Sequence, residues 1–290
     1  MNKNIQKWLV WLIIWALGAA SVLVTLFLFL FVFWKGRTVI SLSFLLDDPS
    51  GLPFGTDGGI FPALMGSLCL GFLSALFGGL LGIFCALYLA FTSKRGMVHK
   101  TVQTAVSVLS GIPSIIFGLV SYTFLIYKWG MQRCLLSAAI TITVMILPFV
   151  AIRAKKIFDE TGEGIMKESL GLGISKAYTL RKLILPMCTV ELISTVALGM
   201  AYGMGAVAPI LYTGVVMQAD VPAKLTDPFM SLPYHLYMLV NNGYSLEYAY
   251  GTAFVLMAML LLIQLLCKSI SYFHEGAEWK WGKNREGRSS

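Results

Sequence analysis

Residues 60–92 read IFPALMGSLCLGFLSALFGGLLGIFCALYLAFT, without one charged side chain. As an α-helix this stretch would be roughly 50 Å long, more than a hydrocarbon core of ~30 Å requires. Ser74, Gly78, Gly82, Ala86 and Ala90 recur every four residues within it, and Gly71, Ala75 and Gly79 form the adjoining row. Small residues at that spacing let two helix backbones approach closely, either inside one chain or between subunits.

Working outward, the same absence of charge recurs at Trp8–Trp34, Thr101–Tyr127, Cys134–Ile152, Met187 to about Thr213 (interrupted by Glu191) and Tyr248–Cys267. Six membrane spans follow. The first run continues unbroken to Trp34, well past the length of a signal-peptide core, and reads as a retained helix. The bulk composition agrees: 57% of the 290 residues are hydrophobic and 12% are charged. A soluble domain carries roughly 25% charged residues, so the bilayer must solvate much of this surface.

The net charge of +8 is not spread evenly. If the N-terminus is cytoplasmic, 17 of the 22 lysines and arginines fall in cytoplasmic segments, and Lys35, Arg37, Lys128, Arg133 and Lys224 fall outside. That split follows the positive-inside rule, places both termini in the cytoplasm and accounts for the basic charge without nucleic acid. The five cysteines form no C-x-x-C pair, and His99, His235 and His274 lie in different segments. Neither a metal site nor a disulfide framework is indicated, and the histidines read as structural or interfacial.

Residues 153–186 are too many for a turn and too few for a domain. Ile165, Met166, Leu170 and Leu172 share one side of a helical wheel, with Lys167 and Glu168 opposite. Gly173 ends that helix and Ser175 is placed to cap a second. A short amphipathic helix pair outside the membrane suits docking into a groove on another protein. Residues 225–240, with Pro228, Pro233, Tyr234, His235 and Tyr237, suit a short segment lying in the outer membrane interface. Glu191, five residues past Pro186, reads as a carboxylate near the cytoplasmic interface and the positive helix N-terminus.

The run Lys167-Glu168-Ser169-Leu170-Gly171-Leu172-Gly173, with Leu183 and Pro186 following, resembles the EAA loop of ABC importer permeases. Lys167 stands where that pattern has its Glu, and Glu168 is shifted by one. Phosphate permeases are resembled by Gly59-Ile60-Phe61-Pro62-Ala63-Leu64, by Gly111-Ile112-Pro113-Ser114-Ile115-Ile116-Phe117-Gly118 and by Leu147-Pro148 with Arg153. Asp227-Pro228-Phe229-Met230-Ser231-Leu232-Pro233 and Ala249-Tyr250-Gly251-Thr252-Ala253 resemble their A-type subunit.

The resemblance implies an all-α integral membrane protein with six transmembrane helices and the type I, MetI-like permease fold, in the bacterial inner membrane. It implies an N-terminal helix (1–34), an outer loop (35–62), a five-helix core with its coupling loop (63–273) and a cytoplasmic tail (274–290), polar and expected to be unstructured. ATPase coupling would rest on Lys167, Glu168, Leu170, Gly173, Leu183 and Pro186. The pathway would run past Gly111, Pro113, Ser114, Arg153, Tyr202 and Ala206. Implied partners are a second, C-type permease, an ATPase dimer that uses the ATP, and an extracytoplasmic binding protein. No G-x-x-x-x-G-K-[ST] phosphate loop occurs, and no cofactor or catalytic set is indicated.

One departure bears on the substrate. Where phosphate permeases carry Arg and Glu in the fifth span, this chain has Tyr202 and Ala206, which the reading of one span places one helical turn apart. Backbone N–H groups freed at Gly111 and Pro113, with the hydroxyls of Ser110, Ser114 and Tyr202, remain as donors. The readings left open are phosphate with charges supplied by a partner, another small anion or solute, and a sensor-like subunit that keeps only the docking loop.

Overall fold

The computed structural model describes residues 3–53, 55–92 and 96–286, with the side chains of 3–6, 9 and 270–286 outside the description. Its helices are α1 (Lys3–Gly36), α2 (Leu42–Leu46), α3 (Phe61–Phe91), α4 (Met97–Ser110), α5 (Ser114–Ser121), α6 (Leu135–Ile157), α7 (Glu163–Gly171), α8 (Lys176–Thr179), α9 (Leu185–Met204), α10 (Ala208–Leu211), α11 (Leu232–Asn241) and α12 (Leu246–Glu286). π-helical turns extend α5 through Tyr122–Lys128, join α6 to α7 at Phe158–Gly162 and join α8 to α9 at Leu180–Ile184. A two-residue β-ladder pairs Pro49–Ser50 with Asp57–Gly58.

Five of the helical stretches are long and apolar enough to cross a membrane, and the bent pair α4–α5 adds a sixth. At the centre α3 lies against α6 and α9, and its small-residue row is what permits this. A Cβ on Gly78 would stand 2.7 Å from Ile146 Cγ1, one on Gly82 2.8 Å from Val150 Cβ, and one on Gly79 2.8 Å from Val196 Cγ1. The row therefore serves packing inside the chain. With lipid as apolar as leucine, such close van der Waals contact is the main source of helix association. A second cluster at the same seam gathers Leu70, Ala138, Ile142, Ile146 and Ile210.

One end of the bundle is closed by a cap. The N–H groups of Leu135 and Leu136, which begin α6 and have no intrahelical partner, donate to the carbonyls of Asp227 (3.0 Å) and Leu225 (2.8 Å). The Ser137 hydroxyl donates to the Thr213 carbonyl, and Ser67 Oγ accepts from the Leu232 N–H at 2.8 Å. The segment 225–240, expected at the membrane interface, buries Leu232, Pro233, His235 and Leu239 of α11 in this cap. Its apolar side chains find protein partners in α3 and α12, where a fully satisfied backbone costs less than exposure. His235 sets its Nδ1 3.2 Å from Thr252 Oγ1, and burial pushes its pKa down to about 4.

The opposite end, the loop end, carries α7, α8 and the π-turns beside them. Peripheral to the bundle, α1 leans on α12, where Phe31 meets Tyr250 edge-on and Gly36 lies against the Gly251 backbone.

Four expectations are corrected. The third span is not one helix: α4 and α5 meet at 106° around Gly111–Pro113. The fifth span ends at Met204 and not near Thr213, because Gly205 caps it and Pro209 opens the separate α10. The helix of the fourth span does not end with its charge-free run at Ile152 but continues to Gly171. The tail continues α12 to Glu286, a propagation that costs little once a long helix is nucleated.

Two outcomes follow from this packing. Gly82→Val should lower the thermal stability of the detergent-solubilised protein by about 1–3 kcal/mol through overpacking against Val150, whereas Gly164→Ala, with nothing within 4 Å, should leave the melting point unchanged. His235 is held neutral by the fold while the unfolded chain takes up its proton near pH 6.5, so its contribution is present above that pH and lost as pH falls toward about 4. Melting points measured between pH 7 and 4.5 should fall with a slope that His235→Gln flattens; an unchanged slope would refute this assignment.

Candidate functional site

The bend between α4 and α5 is set by three residues. The N–H groups of Gly111 and Ile112 donate back to Val108 (3.0 Å) and Leu109 (3.3 Å), tightening the last turn of α4. Pro113 has no N–H to continue the ladder and turns the chain into extended geometry (φ −56°, ψ 137°) before α5 begins. This bend opens a cavity of about 220 Å³ lined by Ser110, Phe117, Pro148, Phe149, Arg153 and Tyr202, among others. At ~30 Å³ per water, that is room for a small, partly hydrated anion.

The chemistry of this cavity lies on α6 and α9. Phe149 and Arg153 are one turn apart on α6, and the Arg153 guanidinium sits 5.5 Å from the Phe149 ring centroid. The Tyr202 ring from α9 stacks on Phe149 as well, with centroids 5.8 Å apart and planes inclined by 30°. Phe149 thus stands between a cation and a phenol at one opening. Arg153 is exposed at the mouth of this cavity, and no ion pair to it occurs among the described residues.

Of the residues assigned to the pathway from sequence, Arg153 and Tyr202 line this cavity, while Gly111 and Pro113 shape its edge. Ser114 lies past the bend. Ala206 does not join: it lies beyond the end of α9, packed against the cluster of Leu70, Phe117 and Ile142. Positions 202 and 206 are therefore not one turn apart on a single helix, and charges placed at both would not pair as i and i+4. Phe149 was missed by sequence reasoning, although its spacing of four from Arg153 is a legible signal.

At the loop end, α7 closes with two hydrogen bonds of a Schellman motif. Gly173 N–H donates to the Leu170 carbonyl (3.1 Å) and Ile174 N–H to the Ser169 carbonyl (2.9 Å). Gly173 has φ +77°, where a side chain would be strained, and Ser175 caps α8 by accepting the Tyr178 N–H at 3.4 Å. The proposed apolar face of this loop is divided. Met166 is buried and Ile165 half-buried in a cluster with Ala86, Phe158, Ile184 and Cys188, whereas Leu170 (51%), Leu172 (80%) and Tyr178 (55%) are exposed. The first pair anchors the loop to its own bundle, and only the latter three remain for a partner. Lys167 pairs with Glu163 at 3.1 Å on the surface, and Glu168 is exposed. Leu183 is half-buried and Pro186 lies in the first turn of α9.

This arrangement has counterparts among known proteins. Solved structures of similar fold include the inward-facing MetNI methionine ABC transporter (TM-score 0.60, 20% identity, covering 72% of this chain and 93% of that one). Another is a bacterial alginate ABC transporter in complex with a pentasaccharide-bound periplasmic protein (TM-score 0.60, 14% identity, 93% and 96% covered). Among sequence relatives, the phosphate transport system permease protein PstA 2 of Mycobacterium bovis is 26% identical over 253 residues, 86% of this chain and 82% of the relative. The phosphate transport system permease protein PstA of Mycobacterium leprae is 29% identical over 214 residues, 72% and 69% covered. Residues 78–274, which include the broken span, the cavity and the whole loop end, match the model of the binding-protein-dependent transport system inner membrane component. The chain belongs to that family, the membrane-spanning permease subunits of ABC importers.

Proposed function

We propose that the chain is the A-type permease subunit of an importer of inorganic phosphate, forming half of a pathway completed by a second, C-type permease. The observation that carries this reading is the cavity at the helix break, where Arg153 and Tyr202 flank Phe149 beside the hydroxyl of Ser110. A guanidinium beside the Tyr202 phenol suits a tetrahedral oxyanion, and the relatives' names point to the same substrate. Arg153 then remains as a positive charge at this cavity, although position 202 lacks one. An Arg introduced at 202 would sit beside Arg153 rather than against a carboxylate at 206.

In this reading the loop end faces the cytoplasm, as do both termini, in accord with the basic residues gathered there. On the same reading, residues 1–34 are the N-terminal unit, 35–62 the outer segment, 63–273 the core and 274–290 the tail. Leu170, Leu172 and Tyr178 enter a groove of a separate ATPase dimer, which uses the ATP, and the cap meets an extracytoplasmic binding protein. Gly173 fixes the angle at which Leu170 is presented.

Two measurements check the reading. In a reconstituted complex, Arg153→Gln should leave assembly intact and reduce phosphate uptake by about tenfold or more, the worth of a charge-assisted hydrogen bond; uptake equal to the parent would remove Arg153 from the path. Gly173→Val should insert normally but lose most co-purifying ATPase, because the αL cap costs a β-branched residue about 1–2 kcal/mol and re-aims the docking face. Parent complex that hydrolyses ATP without taking up phosphate would favour the sensor-like alternative.

A further inference from the structure

The end of α3 is held by the loop end from several sides. Phe91, its last residue, packs its ring 5.8 Å from that of Phe158 in the π-turn after α6. The same ring lies over Gly162, where an added Cβ would stand 2.7 Å from Phe91 Cζ. The Phe91 carbonyl, one of the orphan acceptors at a helix C-terminus, takes a hydrogen bond from the Lys176 ammonium at the start of α8. Leu170, Lys176 and Phe91 all border one cavity of about 210 Å³, so the docking residue and the end of α3 face each other across it.

At its glycines, α3 has little room to absorb a displacement at that end. Gly82 lies against Val150, next to Phe149, and Gly71 lies against Met204, two residues from Tyr202. A packed seam without a Cβ of slack moves as a body. A push on α7 and α8 therefore arrives at both helices that carry the Arg153–Phe149–Tyr202 stack.

We infer that Phe91 is the seat through which the 153–186 loop moves the bundle, and that Lys176 is the positioning residue that keeps α8 on that seat. This rests on the reading that the loop docks an ATPase, and the test separates the two. In a complex reconstituted with its ATPase and second permease, Ser110→Cys places a thiol in the cavity beside Arg153. Its rate of labelling by a water-soluble maleimide is read with and without ATP and vanadate, against the same complex with Ser110 retained. The Ser110→Cys complex should change rate by about fivefold or more, the lower range of a coupling between sites. Adding Lys176→Met and Phe91→Ala together should keep the ATPase bound and its hydrolysis running while that change disappears. Lys176→Arg, which preserves the donor, should retain it.

Leu170→Asp should instead lose the ATPase itself. Bound ATPase in that variant would overturn the docking reading and leave the seat without an input. An unaltered nucleotide response in the Phe91/Lys176 double variant would overturn the seat while docking stands. So would a Ser110→Cys complex with no response. If the double variant fails to assemble, the exposed Lys176→Met alone decides by the same measure.

Discussion

Everything in this protein hangs on the absence of side chains along one edge of α3. Glycine at 71, 78, 79 and 82 lets the backbone come within van der Waals reach of Ile146, Val150, Val196 and Met204. In a bilayer no water is released when helices meet, so shape match at short range must do what hydrophobic burial does in a soluble core. Glycine in a helix interior costs roughly 1 kcal/mol in water. The close seam offsets that cost, and it also makes α3, α6 and α9 a single mechanical unit on which the cap, the broken span and the loop end are all mounted.

That unit explains why two polar features can coexist with an apolar exterior. The α4–α5 break exposes backbone polarity only where α6 and α9 provide a cavity, in line with the rule that irregular backbone at membrane depth must face protein or a water-filled space. Arg153 stands at the edge of the same cavity, four residues past Phe149 and near the basic stretch that leads into the loop end. The site is thus assembled from one bend and two membrane-spanning helices, α6 and α9.

The spans were legible because runs of about twenty residues with little or no charge are satisfied by membrane-crossing helices; five such helices are present, and the bent pair α4–α5 makes up to six. So were the roles of Gly173 and Ser175, since local chemistry at a helix end depends on neighbours in sequence. Less legible was the fate of the helix ends: Cys134–Ile152 gives no sign that its helix continues to Gly171, because a water-exposed helix leaves no hydropathy signal. The split of the loop's apolar face was hidden too. Met166 and Leu170 lie on the same side of a wheel, yet one is buried by Phe158 and the other is left bare. Only the tertiary path of α3 decides between them.

The π-turn at Phe158–Gly162 sits inside what is otherwise one helical run from Leu135 to Gly171. Each π-turn takes in one residue more than the α-turn it replaces. The stretch after it is therefore out of phase with the stretch before it by about a quarter of a revolution. An uninterrupted α-helix would carry a single buried stripe along its length. The wider turn works like an offset in a crankshaft: the face that α6 turns toward its own bundle and the face that α7 turns outward are no longer bound to the same azimuth. One rod can thus be seated in the membrane and still hold Leu170 toward a different neighbour.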